Sequence, residues 1–326
     1  MMGGPRILVV RLGALGDVIH ALPAVASLKH SLPRAHLAWL IEPRWAPLLA
    51  GNPFVDELIL FDRGRLEDWI GLWRRFRAAR FDTVIDFQGL FKSALPALLA
   101  RPERIFGFHQ SQVRERAAAL VYSHRVRACS AHVVDRNLEL AAAAGASSSL
   151  KVFPLPEGEP EGKLPEGDFV LASPLGGWPA KQWPLAFYGE LARLLRDGPR
   201  LPLVLNAAPT QAAVLASIAG AEMHLSGLPG LIHATRRAAA VVGIDSGPLH
   251  LAAALEKAGV AIFGPTDPRR NGPYGSSMTV LRSPSARTSY KRRSRIDESM
   301  KDITPARVFD ELMARLALPA PSPAGS

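Results

Sequence analysis

The sequence predicts an α/β protein made of two doubly wound, Rossmann-like domains. Three observations carry that prediction. Apolar segments of strand length alternate with helix-length amphipathic segments along most of the chain, the pattern of a parallel sheet covered on both faces. At 326 residues the chain is about twice a common domain size. Composition changes over 146–167, where Ala-Ser-Ser-Ser gives way to Pro154, Pro156, Pro160 and Pro165 among glycines and glutamates. Such residues interrupt elements rather than continue them. The expected domains are 1–150 and 168–303, with 151–167 as the linker.

Taken in order, Arg6–Arg11 (RILVVR) reads as a strand and Leu12–Gly16 as a small-residue turn. A helical pattern then starts at Asp17, with Val18, Leu22, Val25 and Leu28 on one face. Ala38–Ile41, Glu57–Phe61 and Thr83–Phe87 read as further strands. Residues 66–80 (LEDWIGLWRRFRAAR) read as an amphipathic helix, with Leu66, Trp69, Ile70, Trp73 and Phe76 sharing a face. That face either packs on the core or meets a membrane surface through its tryptophans and arginines. Beyond the linker the pattern resumes with strand 168–172, helix 184–196, strand 201–206, helix 209–219, strand 240–244, helix 248–257 and strand 259–263. Residues 284–301 read as a basic loop with Lys291, Arg292, Arg293 and Arg295. Pro305 opens a last helix, 304–318, which could pack back on the N-terminal domain, and 319–326 reads as a disordered tail.

Composition narrows the classes. Hydrophobic residues at 48% against 21% charged give ample material for a core and exclude a disordered chain. A single cysteine, Cys129, excludes an internal disulfide or a cysteine-rich zinc site and suits a reducing compartment. No apolar run reaches the ~18 residues of a membrane span, and the N-terminus lacks the order of a signal peptide, so a cytoplasmic location is expected. The net charge of +10 calls for an anionic partner or serves solubility, and by itself does not choose among nucleic acid, anionic lipid and phosphorylated substrate.

Ligands of open α/β sheets sit at the carboxyl ends of the strands, and several strand-to-helix turns here carry polar residues. The turn Gly13-Ala14-Leu15-Gly16-Asp17 is not the dinucleotide Gly-x-Gly-x-x-Gly pattern. Asp17 is either a helix N-cap or a carboxylate general base. In 173–184 (SPLGGWPAKQWP), Gly176 and Gly177 allow close backbone approach to a ligand, and Lys181 is placed to neutralise phosphate or is a plain loop lysine. Gln211 in NAAPTQ is a hydrogen-bonding candidate for a sugar hydroxyl, or an exposed helix-start residue. The stretch GIDSGPLH joins a strand to a helix opened by Pro248. There Ser246 and Gly247 present backbone N–H groups to a phosphate, flanked by Asp245 and His250. The chain has no Asp-x-Asp pair and no His or Cys cluster with ligand spacing, so no metal is expected and leaving-group charge falls to Lys181 and the helix start.

Seven segments in this order, RLGALGDVIHALPA, DFQGLFKSA, HVVDRN, KQWP, GIDSGPLHLAAAL, FGPTDP and KDITPARV, resemble the bacterial heptosyltransferases of glycosyltransferase family nine. The middle of the first domain is most similar to the members that add the first heptose to the Kdo sugar of lipid A in lipopolysaccharide. The resemblance implies a GT-B architecture, with an acceptor domain and a donor domain facing each other across a cleft, inversion at the anomeric carbon, and no bound metal or other cofactor. It implies that Asp17 is the base. Lys181, Asp245, Ser246, Gly247 and His250 would hold the donor ADP-heptose, with Gly176, Gly177 and Gln211 beside them. Gly176 and Gly177 stand where some members carry hydroxyl residues, Gln211 where Glu occurs, and Ser246 for a frequent Thr. On the acceptor side, Gly16, Lys92 in QGLFKSA and Arg114 in VRER match family positions and suit the carboxylates and phosphates of a Kdo-lipid A type glycolipid. The basic surplus then has the glycolipid and the cytoplasmic face of the inner membrane as targets. The rival readings are a related transferase with another nucleotide sugar or glycan acceptor and a non-catalytic nucleotide-sugar binder. A nucleic-acid binder has only the charge in its favour and no motif.

Overall fold

The computed structural model describes residues 4–317, and the chain divides into two compact units between Pro156 and Glu157, inside the stretch expected to be linker. In the first unit the elements run β1 (Arg6–Val10), α1 (Leu15–Ser31), β2 (His36–Ile41), β3 (Glu57–Leu60), α2 (Leu66–Ala79), β4 (Thr83–Asp86), α3 (Phe91–Leu99), β5 (Arg104–Phe108), β6 (His124–Val126) and α4 (Val133–Ala143). In the second they run β7 (Val170–Ala172), α5 (Leu185–Asp197), β8 (Leu203–Ala207), α6 (Ala212–Ala216), β9 (Glu222–Leu225), α7 (Leu228–Arg237), β10 (Ala240–Ile244), α8 (Gly247–Ala254), β11 (Gly259–Phe263), α9 (Pro268–Asn271), β12 (Met278–Arg282), α10 (Glu298–Lys301) and α11 (Pro305–Leu316).

Each unit holds one six-stranded parallel sheet, ordered β3-β2-β1-β4-β5-β6 and β12-β11-β10-β7-β8-β9. The central strands are apolar runs, RILVV and AVVGI, because helices cover both of their faces. In each sheet the strand order reverses once, between β1 and β4 and between β7 and β10. At such a reversal neighbouring loops leave toward opposite faces and open a crevice at the strands' carboxyl ends. The sites described below lie at these two points.

Two expectations are corrected, and the last helix, α11, lies within the second unit. Val308 and Leu312 of α11 are buried in the core of the second sheet, with α5, β11 and β12 against them. The expected apolar face of 66–80 splits in two: Leu72 and Phe76 are buried and Trp69 packs on the core, whereas Leu66, Ile70 and Trp73 are exposed. The helical pattern placed from Asp17 starts two residues earlier, at Leu15, with Ala14 as N-cap. The expected tail 319–326 lies outside the described residues.

The stretch 151–167 is held by side chains although it forms no element. The Pro154 carbonyl accepts from Asn52 Nδ2 in the first unit at 3.2 Å. In the second, the Gly227 N–H donates to Glu161 at 2.6 Å, and His224 Nε2 lies 2.6 Å from the Glu161 carbonyl oxygen. Among the described residues no helix is long and apolar enough to cross a membrane.

Candidate active site

The first site is built on the turn after β1. Asp17 is the third residue of α1, and its Oδ2 accepts the N–H of the N-cap Ala14 at 3.3 Å. Its Oδ1 pairs with Arg11 Nη2 at 2.7 Å, while the side chain stays 49% exposed. Arg11, at the end of β1, is itself buried and donates through Nη1 to the Phe87 carbonyl at 2.6 Å. The same β4 loop grips the turn a second time, as the Leu12 N–H donates to Gln88 Oε1 at 2.8 Å. Gly16, the second residue of α1, is buried, so it offers only backbone to a ligand.

Beneath that loop lies Asp86, fully buried. It accepts from Tyr122 OH at 2.7 Å, Ser93 Oγ at 2.8 Å and the Gln88 N–H at 2.8 Å. Burial pushes its pKa up, against these donors, which favour the carboxylate. A carboxylate so enclosed organises its own loop and does not reach a substrate. Asp17 and Asp86 thus sit on neighbouring strand ends in different roles.

Lys92, the second residue of α3, approaches Glu42 at 3.7 Å. Glu42 follows β2, is buried, and also accepts Arg44 Nη2 at 2.6 Å. Burial holds the Lys92 ammonium below its usual pKa; Glu42 opposes this, and Arg63, Arg11 and Arg44 reinforce it. Arg63, Arg11 and Arg44 therefore lie near enough to act on Lys92, while Glu42 pairs with Arg44 and Lys92. Beside them Glu42, Pro43, Arg44, Asp62 and Arg63 line an opening of about 400 Å³. In that lining Glu42 and Asp62 balance Arg44 and Arg63, and Lys92 beside them leaves one positive charge in excess, which favours an anionic occupant. Arg114 is exposed in the loop between Val113, against which Gly89 packs, and Glu115, which accepts the Phe91 N–H at 2.6 Å. The loop therefore holds it near the start of α3.

The second site occupies the reversal between β7 and β10. Lys181 Nζ donates to Asp245 Oδ2 at 2.6 Å and lies 4.3 Å from the Trp178 ring centre. His250 Nε2 is 3.6 Å from Asp245 Oδ1. Asp245 is almost wholly buried. Burial would raise its pKa, but the neighbouring His250 and the Lys181 charge together hold the carboxyl far below the usual range. Ser246 is the N-cap of α8, and its buried Oγ has no hydrogen-bond partner among the described residues. Gly247 opens the helix with an N–H that has no intrahelical acceptor, Pro248 carries no N–H, and those of Leu249 and His250 donate to the Ser246 carbonyl.

A Cβ on Gly176 would come within 3.0 Å of Ile244 Cδ1, so the glycine brings the β7 loop onto the β10 turn. Gly177 has open space around its Cα. Gln211 stands at the end of a short 3₁₀ turn, Pro209–Gln211, after β8, one strand out from the centre and exposed.

Thus Gly176, Lys181, Asp245, Ser246, Gly247 and His250 come together, Gly177 adjoins them, and Gln211 lies at their margin. Four contributors escaped sequence reasoning: Arg11, Glu42, Arg44 and Arg63. Arg11 had a readable signal, a charged residue ending an apolar strand just before the turn. The other three gave none, since only the fold gathers them. The basic loop adds Arg292, whose guanidinium lies 5.3 Å from the Trp178 ring centre, and the Asp297 N–H of that loop donates to the Ala180 carbonyl at 3.3 Å.

Comparison with known proteins identifies the family. Residues 69–301 match the family described as glycosyltransferase family 9 (heptosyltransferase). Lipopolysaccharide heptosyltransferase 1 of Pseudomonas aeruginosa is 34% identical over 305 residues, covering 85% of this chain and 84% of that protein. The solved structure of E. coli heptosyltransferase WaaC with ADP superposes with a TM-score of 0.73 at 26% identity, over 95% of this chain and 99% of that one. The same enzyme with ADP-2-deoxy-2-fluoro heptose gives a TM-score of 0.71 at 26% identity, again over 95% and 99%. Two parallel six-stranded α/β units, this superposition and this sequence match lead to one conclusion: the chain has the GT-B fold, belongs to glycosyltransferase family 9, the heptosyltransferase family, and is a glycosyltransferase.

Proposed function

We propose that this enzyme transfers L-glycero-D-manno-heptose from ADP-heptose to a Kdo residue of lipid A, in assembly of the lipopolysaccharide inner core, with inversion at the anomeric carbon. The observation that carries the reading is the Lys181–Asp245–His250 cluster at the start of α8. It occurs in a chain whose relative is crystallised with ADP and with an ADP-heptose analogue. Asp17 takes the proton from the acceptor hydroxyl. The hydroxyl oxygen bonds to the anomeric carbon as the bond from that carbon to the diphosphate oxygen breaks, and ADP departs with the electron pair. Lys181 and the Gly247 N–H at the start of α8 stabilise the charge that develops on the diphosphate. Asp245 holds Lys181 in place, and Gly176, Gly177, Ser246 and Gln211 complete the donor contacts. No metal ion or other cofactor takes part in this reading.

Arg11 is a positioning residue: it fixes the Asp17 carboxylate and is anchored by the Phe87 carbonyl. On the acceptor side, Gly16 contributes backbone and Lys92 and Arg114 meet the carboxylates and phosphates of the glycolipid, joined by Arg44 and Arg63. The enzyme works in the cytoplasm, at the cytoplasmic face of the inner membrane where that acceptor is found. The test is ADP release with a Kdo-bearing acceptor by Asp17→Asn. Removing a general base lowers the rate by at least ~100-fold. Near wild-type release by a folded Asp17→Asn enzyme overturns the assignment.

A further inference from the structure

α2 and α3 lie side by side on the same face of the first sheet, where Leu72 and Phe76 of one and Ala94 and Ala97 of the other share a core. Each helix turns a second apolar stripe outward. On α2 the stripe is Leu66, Ile70 and Trp73; on α3 it is Phe91, Leu95 and Leu98. Both follow the i, i+4, i+7 spacing of one helix face, and all six side chains are between 40% and 74% exposed. A single exposed leucine is ordinary, but two matched exposed stripes on neighbouring helices are an apolar surface of the kind that marks an interaction site.

We infer that this two-helix face docks on an anionic phospholipid leaflet. Charge and continuity select that occupant. Trp73 carries Arg77, whose guanidinium lies 5.2 Å from its ring centre, an aromatic–basic pair suited to the headgroup boundary. At the far ends of the helices, Arg77, Arg80 and Arg101 line an opening of about 410 Å³ with Asp82 and Glu103. The near ends run into the acceptor-side cations: Arg63 precedes Leu66 by three residues, and Lys92 follows Phe91 directly. A glycolipid whose sugar reaches Arg63 and Lys92 would keep its acyl chains in the leaflet covering the adjoining stripes. That step rests on the proposed function. The stripes and their basic rim do not.

The test pairs vesicle sedimentation with a soluble-acceptor assay. Two double variants, Ile70→Ser/Trp73→Ser and Leu95→Ser/Leu98→Ser, change only half-exposed side chains, and circular dichroism establishes that they fold. On phosphatidylglycerol–phosphatidylethanolamine vesicles each should lower the bound fraction by ~10-fold, and wild type should bind phosphatidylcholine vesicles weakly. Transfer to deacylated, soluble Kdo acceptor should stay within about twofold of wild type, because neither stripe enters the chemistry. Wild-type vesicle binding by both folded variants overturns the inference. So does a wild-type dimer in sedimentation equilibrium that the variants convert to monomer, since a second copy then covers the stripes. If wild type ignores the soluble acceptor, the proposed function falls while the vesicle result still decides the docking face.

Discussion

Asp17 and Asp245 both lie at a reversal of strand order in two sheets of like topology, Asp17 after the first strand of its sheet and Asp245 after the fourth strand of the other, and each is paired with a cation. Their surroundings separate them. The Asp17 side chain is 49% exposed and shares its charge with Arg11 and one backbone N–H. The Asp245 side chain is 4% exposed and locked between Lys181 and His250, which hold it ionised. In the proposed function the accessible carboxylate is the base and the enclosed one orients the lysine, so enclosure, more than residue type, separates the two proposed roles. Asp86 extends the lesson, since complete burial makes it a loop organiser.

That contrast is broken most severely by removing the proposed base, as the Asp17→Asn assay does. Next, Lys181→Ala should raise the Kd for ADP by about 10- to 100-fold, measured by calorimetry, because a charge-assisted contact goes and Asp245 is left buried without its lysine. Asp245→Asn should also weaken ADP binding and lower the Tm by several degrees, as Lys181 loses the carboxylate that aims it; unchanged affinity would contradict the clamp. Arg11→Gln should reduce kcat about 10-fold with the KM for the donor little changed, since only the base is displaced; Arg11→Lys should recover part of the loss. The smallest effects fall on the two glycines. Gly177→Ala should leave Tm within about a degree, whereas Gly176→Ala should cost about 1 kcal/mol against Ile244, read by thermal melts.

The alternating pattern made the central strands legible: β10 and β11 span 240–244 and 259–263 as expected. Strands with polar or short sequences escaped, such as β9 (EMHL) and β6 (HRV), because edge strands need no apolar run. In α2 the sequence showed one wide apolar surface, and only packing separated Leu72 and Phe76 from the exposed Leu66, Ile70 and Trp73. Turn residues such as Lys181 and His250 could be picked out because they flank strand ends, but the Lys181–Asp245 bond joins loops 64 positions apart and no local pattern carries it. The Glu42 cluster was hidden for the same reason.

The central claim is heptose transfer from ADP-heptose to Kdo-lipid A. The most direct measurement incubates the enzyme with Kdo-lipid A and, in separate reactions, ADP-heptose, UDP-sugars and GDP-sugars, and reads the glycolipid by mass. The account predicts the gain of one heptose from ADP-heptose alone. A glycolipid of unchanged mass with ADP-heptose, or a sugar added from a UDP or GDP donor instead, would contradict it.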